Sequence, residues 1–354
     1  MKIIFTVASL GSGGAERVVS LLSNKMAELG HQVEIICLKF NDVYYQVDSS
    51  VKVTLAMQQT RNRFTELFWL RKYIKNERPD VVIAFTEGVY CFTIAALLGT
   101  KIPIIASERL DPSAMTWKRN LLKRLLLPYA DWLVVQTQSI KDYFPKKIQK
   151  KTSIIHNPVS EKAFCRIEDE QPAVEHKLNR IISVARLFPQ KNQQMMVRAF
   201  AKIADDFPDW QLVIYGEGPL RENLESLVLE LKLQDRVLLP GRTENVINEL
   251  RKSKIFCLSS DYEGMSNSMI EAICVGLPII TTKVSGTAEL VKDGLNGIVV
   301  EIGDANSLAM AMNMLLKDEK LQLMMSENSK KMNKAFSLDV IVNEWMALVE
   351  QVAR

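Results

Sequence analysis

Short runs of β-branched and aliphatic residues alternate with longer helix-like stretches along almost the whole chain, and this alternation restricts what it can fold into. In the first half, the runs that predict strands are Lys2–Ala8, Gln32–Leu38, Val51–Leu55, Val81–Phe85, Ile102–Ser107, Trp132–Thr137 and Ser153–His156. The stretches between them predict helices over Ala15–Leu29, Arg63–Lys75, Tyr90–Leu98, Ala114–Leu127 and Ser139–Phe144. Apolar strands separated by helices are typical of a parallel sheet covered on both faces. The sequence therefore predicts an α/β fold.

The alternation stops and then starts again. Asn157-Pro158 ends the last of these strands, and the stretch from Glu161 to Lys177 is polar and acidic, as linkers are. Six more strands are predicted at Arg180–Ala185, Gln211–Tyr215, Arg236–Leu239, Ile255–Ser259, Pro278–Thr282 and Gly297–Ile302. A chain of 354 residues accommodates two domains. We predict two doubly wound, Rossmann-like domains, at residues 1–160 and 177–336, whose strands end at a shared central cleft.

The composition excludes several classes of protein. No apolar stretch reaches the about 20 residues that a membrane-spanning helix needs. Five cysteines lie far apart without a C-x-x-C spacing, which indicates reduced thiols in the cytoplasm and no metal site. The apolar start of the chain runs directly into a glycine-rich turn at Gly11, so a buried first strand is favoured over a secretion signal.

Charge is distributed unevenly along the chain. Residues 1–158 carry 22 Lys and Arg against 13 Asp and Glu, a net charge of +9, whereas the remainder carries 23 against 28, a net charge of −5. This asymmetry indicates that the first half meets an anionic partner, either a nucleic acid or a lipid surface. Two stretches, Trp117–Leu127 and Arg61–Lys72, mix cations with leucine or aromatic residues. Such helices either lie on anionic membranes or pack as ordinary amphipathic helices.

A glycine-rich turn follows the first predicted strand. Gly13 and Gly14 would let backbone N–H groups approach a phosphate or sugar that any Cβ would block. Glu16 stands where a dinucleotide-binding fingerprint has its third glycine, so a nicotinamide dinucleotide site is disfavoured. A simple tight turn is the alternative interpretation.

The first strand of the second half is followed by two cations, Arg186 and Lys191, five residues apart. On one strand-to-helix loop they would converge on a diphosphate, the guanidinium as a fork and the ammonium as a point charge. Two solvated surface charges are the alternative interpretation.

The segment Ser259–Ala272 carries the strongest signal. A strand ends near Ser259, and a helix is predicted to begin near Ser266 or Asn267, both good N-caps. Glu263 precedes that helix and Glu271 lies within it, with seven residues between them. Carboxylates suit hydroxyl donors and free amides at a helix N-terminus suit phosphate oxygens, so the segment indicates a nucleotide sugar. A capping acid and a surface glutamate are the alternative.

These motifs together resemble the family 4 retaining glycosyltransferases, which have the GT-B fold. The resemblance covers nearly the whole chain and is most specific in the second half. Besides the Glu263–Glu271 spacing and Arg186 with Lys191, it rests on Gly13–Arg17, Ile155–Val159, Gly216–Arg221 and Gly286–Val291. The segment Ser107–Pro112 is further similar to bacterial members that build surface polysaccharide on a polyprenyl-diphosphate carrier.

The resemblance implies roles for individual residues. Arg186 and Lys191 would hold the donor diphosphate, with amides around Met265, Ser266, Asn267 and Ser268; Glu271 would bind the ribose and Glu263 a hydroxyl of the donor sugar. Arg242 and Val246 would frame the base, with Gly216 and Gly218 behind it, and Gly13, Gly14, Glu16 and Arg17 would serve the diphosphate and the acceptor. Many relatives have a histidine where this chain has Glu108-Arg109; either residue would orient donor or acceptor. The closing helix, 337–354, would return to the first domain.

The expected activity is transfer of a sugar from a nucleotide donor, with UDP preferred over GDP, to a polyprenyl-diphosphate-linked glycan. We expect no metal and no other cofactor, because Asp205-Asp206 falls at a predicted helix end, and we expect a peripheral location on the cytoplasmic face of the membrane. A sugar-nucleotide epimerase of the same fold is the alternative. A nucleic-acid-binding protein is disfavoured since no interleaved aromatics mark an exposed sheet, and a membrane scaffold without turnover is a third possibility.

Overall fold

The computed structural model describes residues 1–11, 13–39, 44–59, 62–114, 116–164 and 177–353. Its internal contacts divide the chain into two units: Met1–Pro158 together with Leu338–Arg354, and Val159–Ser337. Most of the predicted linker, residues 165–176, and Ser12 of the glycine-rich turn lie outside the described residues. Within the described part of the chain, no helix combines the length and the apolar character needed to cross a bilayer.

The first unit contains a seven-stranded parallel sheet. Its strands are β1 (Lys2–Val7), β2 (Gln32–Cys37), β3 (Lys52–Leu55), β4 (Val81–Phe85), β5 (Ile104–Ser107), β6 (Trp132–Val135) and β7 (Thr152–Ile154). They lie in the order β3-β2-β1-β4-β5-β6-β7. The register pairs Ile3 of β1 with Val33 of β2 on one side and with Val81 of β4 on the other.

Helices cover both faces of this sheet. They are α1 (Gly14–Glu28), α2 (Arg63–Glu77), α3 (Glu87–Leu97), α4 (Trp117–Leu126), α5 (Gln138–Tyr143), α6 (Lys146–Gln149) and the closing helix (Leu338–Val352). On one face, α1 and the closing helix bury side chains such as Leu22 and Trp345. On the other, α2 and α3 bury Leu70 and Tyr90. Burial on both faces explains why the strands read as nearly continuous apolar runs.

The second unit repeats the arrangement with six parallel strands. They are β8 (Arg180–Val184), β9 (Gln211–Tyr215), β10 (Val237–Gly241), β11 (Ile255–Leu258), β12 (Ile279–Thr282) and β13 (Gly297–Val300), in the order β10-β9-β8-β11-β12-β13. Its helices are α7 (Gln193–Ala201), α8 (Arg221–Glu230), α9 (Val246–Arg251), α10 (Asn267–Cys274), α11 (Thr287–Leu290), α12 (Ala305–Lys317) and α13 (Glu319–Met332). Two doubly wound sheets of this kind confirm the predicted α/β class.

The predicted elements differ from the observed ones at their ends, and the short helix α6 (Lys146–Gln149) was not predicted. Strand β5 begins at Ile104 instead of Ile102, and Pro103 between them has no N–H to donate to a neighbouring strand. Helix α3 begins at Glu87 instead of Tyr90, because the carbonyl of Thr86 accepts from the backbone N–H groups of Val89 and Tyr90. The closing helix spans Leu338–Val352, within the range 337–354 that the resemblance implied.

Candidate active site

The strand order of the second unit reverses beside β8. The chain moves outward from β8 through β9 to β10 and then returns to place β11 on the other side of β8. In open parallel sheets, the loops that follow the two strands at such a reversal leave room for a ligand at the carboxyl ends. Arg186 and Lys191 follow β8, and Glu263 follows β11. The fold therefore brings the predicted cations and the first carboxylate to one edge of one sheet.

Lys191 and Glu263 are in direct contact. Lys191 ends a 3-10 turn, Pro189–Lys191, and its ammonium donates to Oε1 of Glu263. Ser260 donates its hydroxyl to the same oxygen at 2.8 Å. The side chains of Lys191 and Glu263 are only 15% and 9% exposed. Their attraction is therefore screened less than that of a surface pair, and the cation expected on the diphosphate already has a carboxylate partner.

Hydrogen bonds tie the two loops together around this ion pair. Asn192, in the left-handed region at φ 46°, donates its amide to Oδ1 of Asp261 at 2.8 Å. The backbone N–H of Asp261 donates to the carbonyl of Gln190 at 2.9 Å. Ser259 donates its hydroxyl to the carbonyls of Lys191 and Asn192, at 2.9 and 3.0 Å. Three separate links thus fix the relative position of the loops that carry the cation and the carboxylate.

Arg186 is exposed, unlike Lys191. Its guanidinium carbon lies 4.9 Å from the centre of the Phe188 ring, a distance at which a cation is attracted to the face of an aromatic ring. Its backbone carbonyl accepts from the amide of Gln193 at 2.9 Å, which connects the loop to the first turn of α7. The loop is held in place while the charged end of the side chain is open to solvent.

Helix α10 begins with Asn267, and Ser266 is its N-cap, as predicted. The hydroxyl of Ser266 accepts from the N–H of Met269 at 3.4 Å. The predicted amide-rich segment, Met265–Ser268, lies at the N-terminus of α10, which carries the positive end of the helix dipole. Met265 and Ser266 are buried, and Asn267 and Ser268 are half-buried. Glu271 lies within the helix and is 2% exposed. The two predicted carboxylates, Glu263 and Glu271, are both buried.

Gly216 and Gly218 have a clear steric reason to be glycine. A Cβ at Gly216 would stand 1.9 Å from the carbonyl oxygen of Ala185, and one at Gly218 would stand 2.3 Å from that of Leu187. Gly216 also has a φ of 146°, a conformation that side chains disfavour. These glycines let the loop after β9 pack against the loop that carries Arg186.

The residues predicted to frame the base follow β10. Arg242 is exposed directly after the strand, and Val246 is half-buried as the first residue of α9. Next to them, Arg221 donates to Glu217 at 2.9 Å and to the carbonyl of Leu239 at 2.8 Å. Arg221, the last residue of the motif Gly216–Arg221, therefore joins the loop after β9 to strand β10.

In the first unit, the glycine-rich turn leads into α1. Gly13 is the N-cap, and α1 begins at Gly14. A Cβ on Gly13 would stand 2.0 Å from the carboxylate of Glu16, so this glycine makes room for an acidic side chain in the first turn, where it is stabilised by the helix dipole. Arg17 is half-buried beside it.

Glu108 lies inside the first unit and not at its surface. It follows β5, is 1% exposed, and forms an ion pair with Lys123 of α4 at 2.7 Å. Tyr90 of α3 donates its hydroxyl to the same carboxylate oxygen at 2.9 Å. Burial, with the nearby Glu108 carboxylate, raises the pKa of Tyr90 well above its ordinary value. Glu108 therefore joins α3 and α4 to the end of β5.

Arg109 is also buried, at 7% exposed. It donates to Oδ1 of Asn157 at 2.7 Å, and Gln136 donates to the same oxygen at 2.8 Å. Its guanidinium carbon lies 4.5 Å from the ring centre of Phe85 and 5.7 Å from that of Trp345. Burial lowers the pKa of Arg109 to about 9, against the favourable charge of Glu108. Arg109 thus connects the end of β7 with the closing helix.

Several functional contacts were not predicted from the sequence. Ser260 and Gln190 touch Glu263, and Lys123 and Asn157 hold Glu108 and Arg109. Ser260, Asn157 and Lys123 belong to segments that the sequence singled out, Ser259–Ala272, Ile155–Val159 and Trp117–Leu127, but no role was predicted for any of the three. Among the described residues, no group of three or more His, Cys, Asp or Glu side chains is placed to share a metal ion.

Comparison with known proteins identifies relatives of the whole chain. Residues 12–162 match the model of Glycosyltransferase Family 4, and residues 166–332 match that of Glycosyl transferases group 1. An α-1,4-N-acetyl-D-galactosaminyltransferase of Campylobacter jejuni, whose name gives a diNAcBac-PP-undecaprenol glycan as its acceptor, is 32% identical over 99% of both chains. A second Campylobacter jejuni enzyme, a diphospho-undecaprenol 4-α-N-acetylgalactosaminyltransferase, is 29% identical over 95% of both.

Solved structures show the same fold. Anabaena HepE in complex with UDP and glucose has a TM-score of 0.80 at 18% identity and covers 99% of this chain and 100% of its own. Staphylococcus aureus TarM with UDP has a TM-score of 0.80 at 13% identity, covering 98% and 99%. The fold and the family matches together define a glycosyltransferase with the GT-B fold. Within that class, the chain belongs to glycosyltransferase family 4.

Proposed function

We propose that this enzyme transfers a sugar, with retention of anomeric configuration, from a UDP-sugar to a glycan linked to a polyprenyl diphosphate. The observation that supports this most strongly is the meeting of Lys191 with Glu263 beside Arg186 at the strand-order reversal of the second unit. The names of the two Campylobacter jejuni relatives support the class of acceptor, and they favour an N-acetylhexosamine over a plain hexose as the donor sugar.

The mechanism that we propose depends on stabilising the negative charge that develops on the leaving diphosphate. Cleavage of the bond between sugar and nucleotide leaves an oxocarbenium-like sugar and a diphosphate that gains negative charge. Arg186, Lys191 and the N-terminus of α10 supply positive charge and N–H groups for that diphosphate, and preorganised groups of this kind stabilise a transition state strongly. The departing phosphate oxygen accepts the proton of the acceptor hydroxyl, so that no separate general base is needed.

The remaining residues bind and orient substrates in this proposal. Glu271 accepts from the ribose hydroxyls and Glu263 from a hydroxyl of the donor sugar. Arg242 and Val246 frame the uracil, and Gly13, Gly14, Glu16 and Arg17 serve the diphosphate and the acceptor. Glu108, in an ion pair with Lys123, and Arg109, hydrogen-bonded to Asn157, are both buried. They act by shaping the acceptor side of the first unit. Because two cations already neutralise the diphosphate, we propose that turnover needs no divalent metal and persists in EDTA.

We also propose that the first unit docks on an anionic membrane, at its inner face. Its net charge of +9 over residues 1–158 supports this, as do exposed apolar side chains on two helices. Leu121, Leu122 and Leu125 of α4 are 50%, 50% and 60% exposed, and Phe64 and Phe68 of α2 are 74% and 56% exposed. Of the four cations in α4, Lys123 faces inward; the side chains of Lys118 and Arg119, like that of Trp117, lie outside the described residues.

The test is a transfer assay with a panel of UDP- and GDP-sugars and an undecaprenyl-diphosphate-linked oligosaccharide, analysed by mass spectrometry and by NMR of the new anomeric centre. The expected result is one added N-acetylhexosamine in the α configuration, from the UDP donor only. Loss of donor without a lengthened acceptor, or an isomerised donor in a reaction without acceptor, would contradict the proposal.

A further inference from the structure

We infer that Ser260 is a positioning residue, which fixes the carboxylate of Glu263 and through it the ammonium of Lys191. The inference rests on the proposed function, because it assigns these two groups to the donor. Ser260 follows β11 and is fully buried, and its hydroxyl donates to Oε1 of Glu263 at 2.8 Å. Lys191 donates to that same oxygen.

This sharing of one oxygen sets the orientation of the carboxylate. Lys191 and Ser260 both donate to Oε1, whereas among the residues that the structure describes Oε2 accepts only from the amide of Gln190, at 3.5 Å. A contact of that length is weak, so Oε2 keeps its capacity to accept from a ligand hydroxyl. Without Ser260, the carboxylate would be free to rotate and present either oxygen to Lys191. The serine therefore keeps Oε1 of Glu263 directed at Lys191 and leaves Oε2 to accept from the ligand.

Ser260 is itself fixed from behind by the loop after β12. Thr282, at the end of β12, donates its hydroxyl to the carbonyl of Ser260 at 2.6 Å, and Thr287 donates to the carbonyl of Thr282 at 2.8 Å. Gly286 lies so close to this region that a Cβ there would stand 2.4 Å from the carbonyl of Gly264. Thr282 is fully buried and Thr287 is 3% exposed. These contacts link α11 to Lys191 through Thr282, Ser260 and Glu263.

These contacts also predict which ligands will bind more weakly when Ser260 is substituted. Lys191 is assigned to the diphosphate, and it is joined to α11 through Glu263, Ser260 and Thr282, none of which is assigned to the base or the ribose. Disrupting these hydrogen bonds should therefore weaken the binding of UDP, which carries the diphosphate. The binding of uridine, which lacks the diphosphate, should be unchanged. If Ser260 served only the general stability of the unit, its substitution would weaken the binding of both ligands equally or of neither.

The experiment compares Ser260→Ala and Thr282→Val with Ser329→Ala. Ser329 is an equally buried serine of the same unit whose hydroxyl donates to the carbonyl of Leu277 at 2.8 Å, so its loss controls for the loss of one buried hydrogen bond. For Ser260→Ala we expect kcat to fall about tenfold, because a hydrogen bond to a charged group is lost, and Thr282→Val to lose turnover in the same direction. The Kd of UDP should rise about threefold to tenfold while that of uridine changes by less than about twofold. Ser329→Ala should keep wild-type values throughout.

A second arm places Ser260→Ala in a Glu263→Gln background, where the serine has no carboxylate left to orient. There the serine substitution should lower kcat by less than about twofold, since coupled residues are not additive. An unchanged tenfold loss in that background would overturn the inference, as would equal weakening of UDP and uridine, or wild-type turnover in both Ser260→Ala and Thr282→Val. Failure of the proposed function is distinguishable, because the wild-type enzyme would then show no transfer at all.

Discussion

Lys123 and Glu108 form an ion pair at 2.7 Å in which each side chain is only 2% exposed. The pair fixes how α4 lies on the first unit, since the lysine points inward and Leu121, Leu122 and Leu125 lie outward at 50–60% exposure. Removing one partner of a buried ion pair leaves the other charge uncompensated. This pair therefore determines both the stability of the unit and the surface that it presents.

Substitution of Lys123 by Met should destabilise the first unit by about 3–5 kcal/mol, because Glu108 would remain buried without its cation. Thermal and urea unfolding measure this change. The control is Lys283→Met, which breaks a surface pair with Glu301 at 3.2 Å whose side chains are 67% and 74% exposed; surface pairs contribute little. If the two variants unfold alike, the Glu108–Lys123 pair has no special role.

The inward position of Lys123 also shows where sequence reasoning fails. The strands followed from hydrophobic runs, and the positions of Lys191 and Glu263 in loops after strands followed from motifs at strand ends, which local sequence records; their direct contact was not predicted. The pairing of Glu108 with Lys123 joins a strand end to a helix fifteen residues later, and the mixture of leucines and cations in α4 left open which side of the helix faces inward. The orientation of α4 is set by this tertiary contact, which the local sequence pattern does not predict.

Arg186→Ala and Lys191→Ala should each lower kcat about a hundredfold, close to 3 kcal/mol, because each removes a cation that stabilises charge on the leaving diphosphate. Steady-state transfer rates at saturating donor provide the measurement. Lys317→Ala, at an exposed position of α12, is the control and should be neutral. Wild-type turnover in both active-site variants would disprove the proposed mechanism.

Thr86 adopts a backbone conformation that favours glycine. Its φ is 72° and its ψ 149°, at the carboxyl end of β4 where α3 begins. A β-branched residue is strained in that region by about 1–3 kcal/mol, whereas glycine costs about 0.5–1 kcal/mol in chain entropy. Thr86→Gly should therefore stabilise the first unit by about 1 kcal/mol, measured as a higher Tm. Thr86→Ala keeps a Cβ and should give no such gain; equal gains from both would argue against strain.

The buried thiols should resist modification. Burial raises the pKa of Cys37 to about 11 and that of Cys274 to about 12, each with a nearby carboxylate adding to the effect. Because the thiolate is the reactive form, the native enzyme at pH 8 should label slowly at these positions, and the urea-unfolded chain should label fully. Peptide mass spectrometry after a short iodoacetamide pulse distinguishes the sites. Rapid native labelling of Cys37 or Cys274 would contradict their burial.

The exposed leucines of α4 give the membrane proposal its sharpest test. Leu122→Ser with Leu125→Ser removes two apolar side chains that would enter the lipid interface, each contributing about 1.5 kcal/mol or more when fully buried. Sedimentation with anionic vesicles at low salt should show binding weakened at least about tenfold. The matched control is Leu229→Ser with Leu323→Ser, two leucines of the second unit that are each 62% exposed; these should leave binding unchanged. High salt should release the wild-type protein, because basic residues contribute to attraction by anionic lipids. Equal loss of binding in both double variants would show that exposed leucine in general, and not the outward face of α4, meets the lipid.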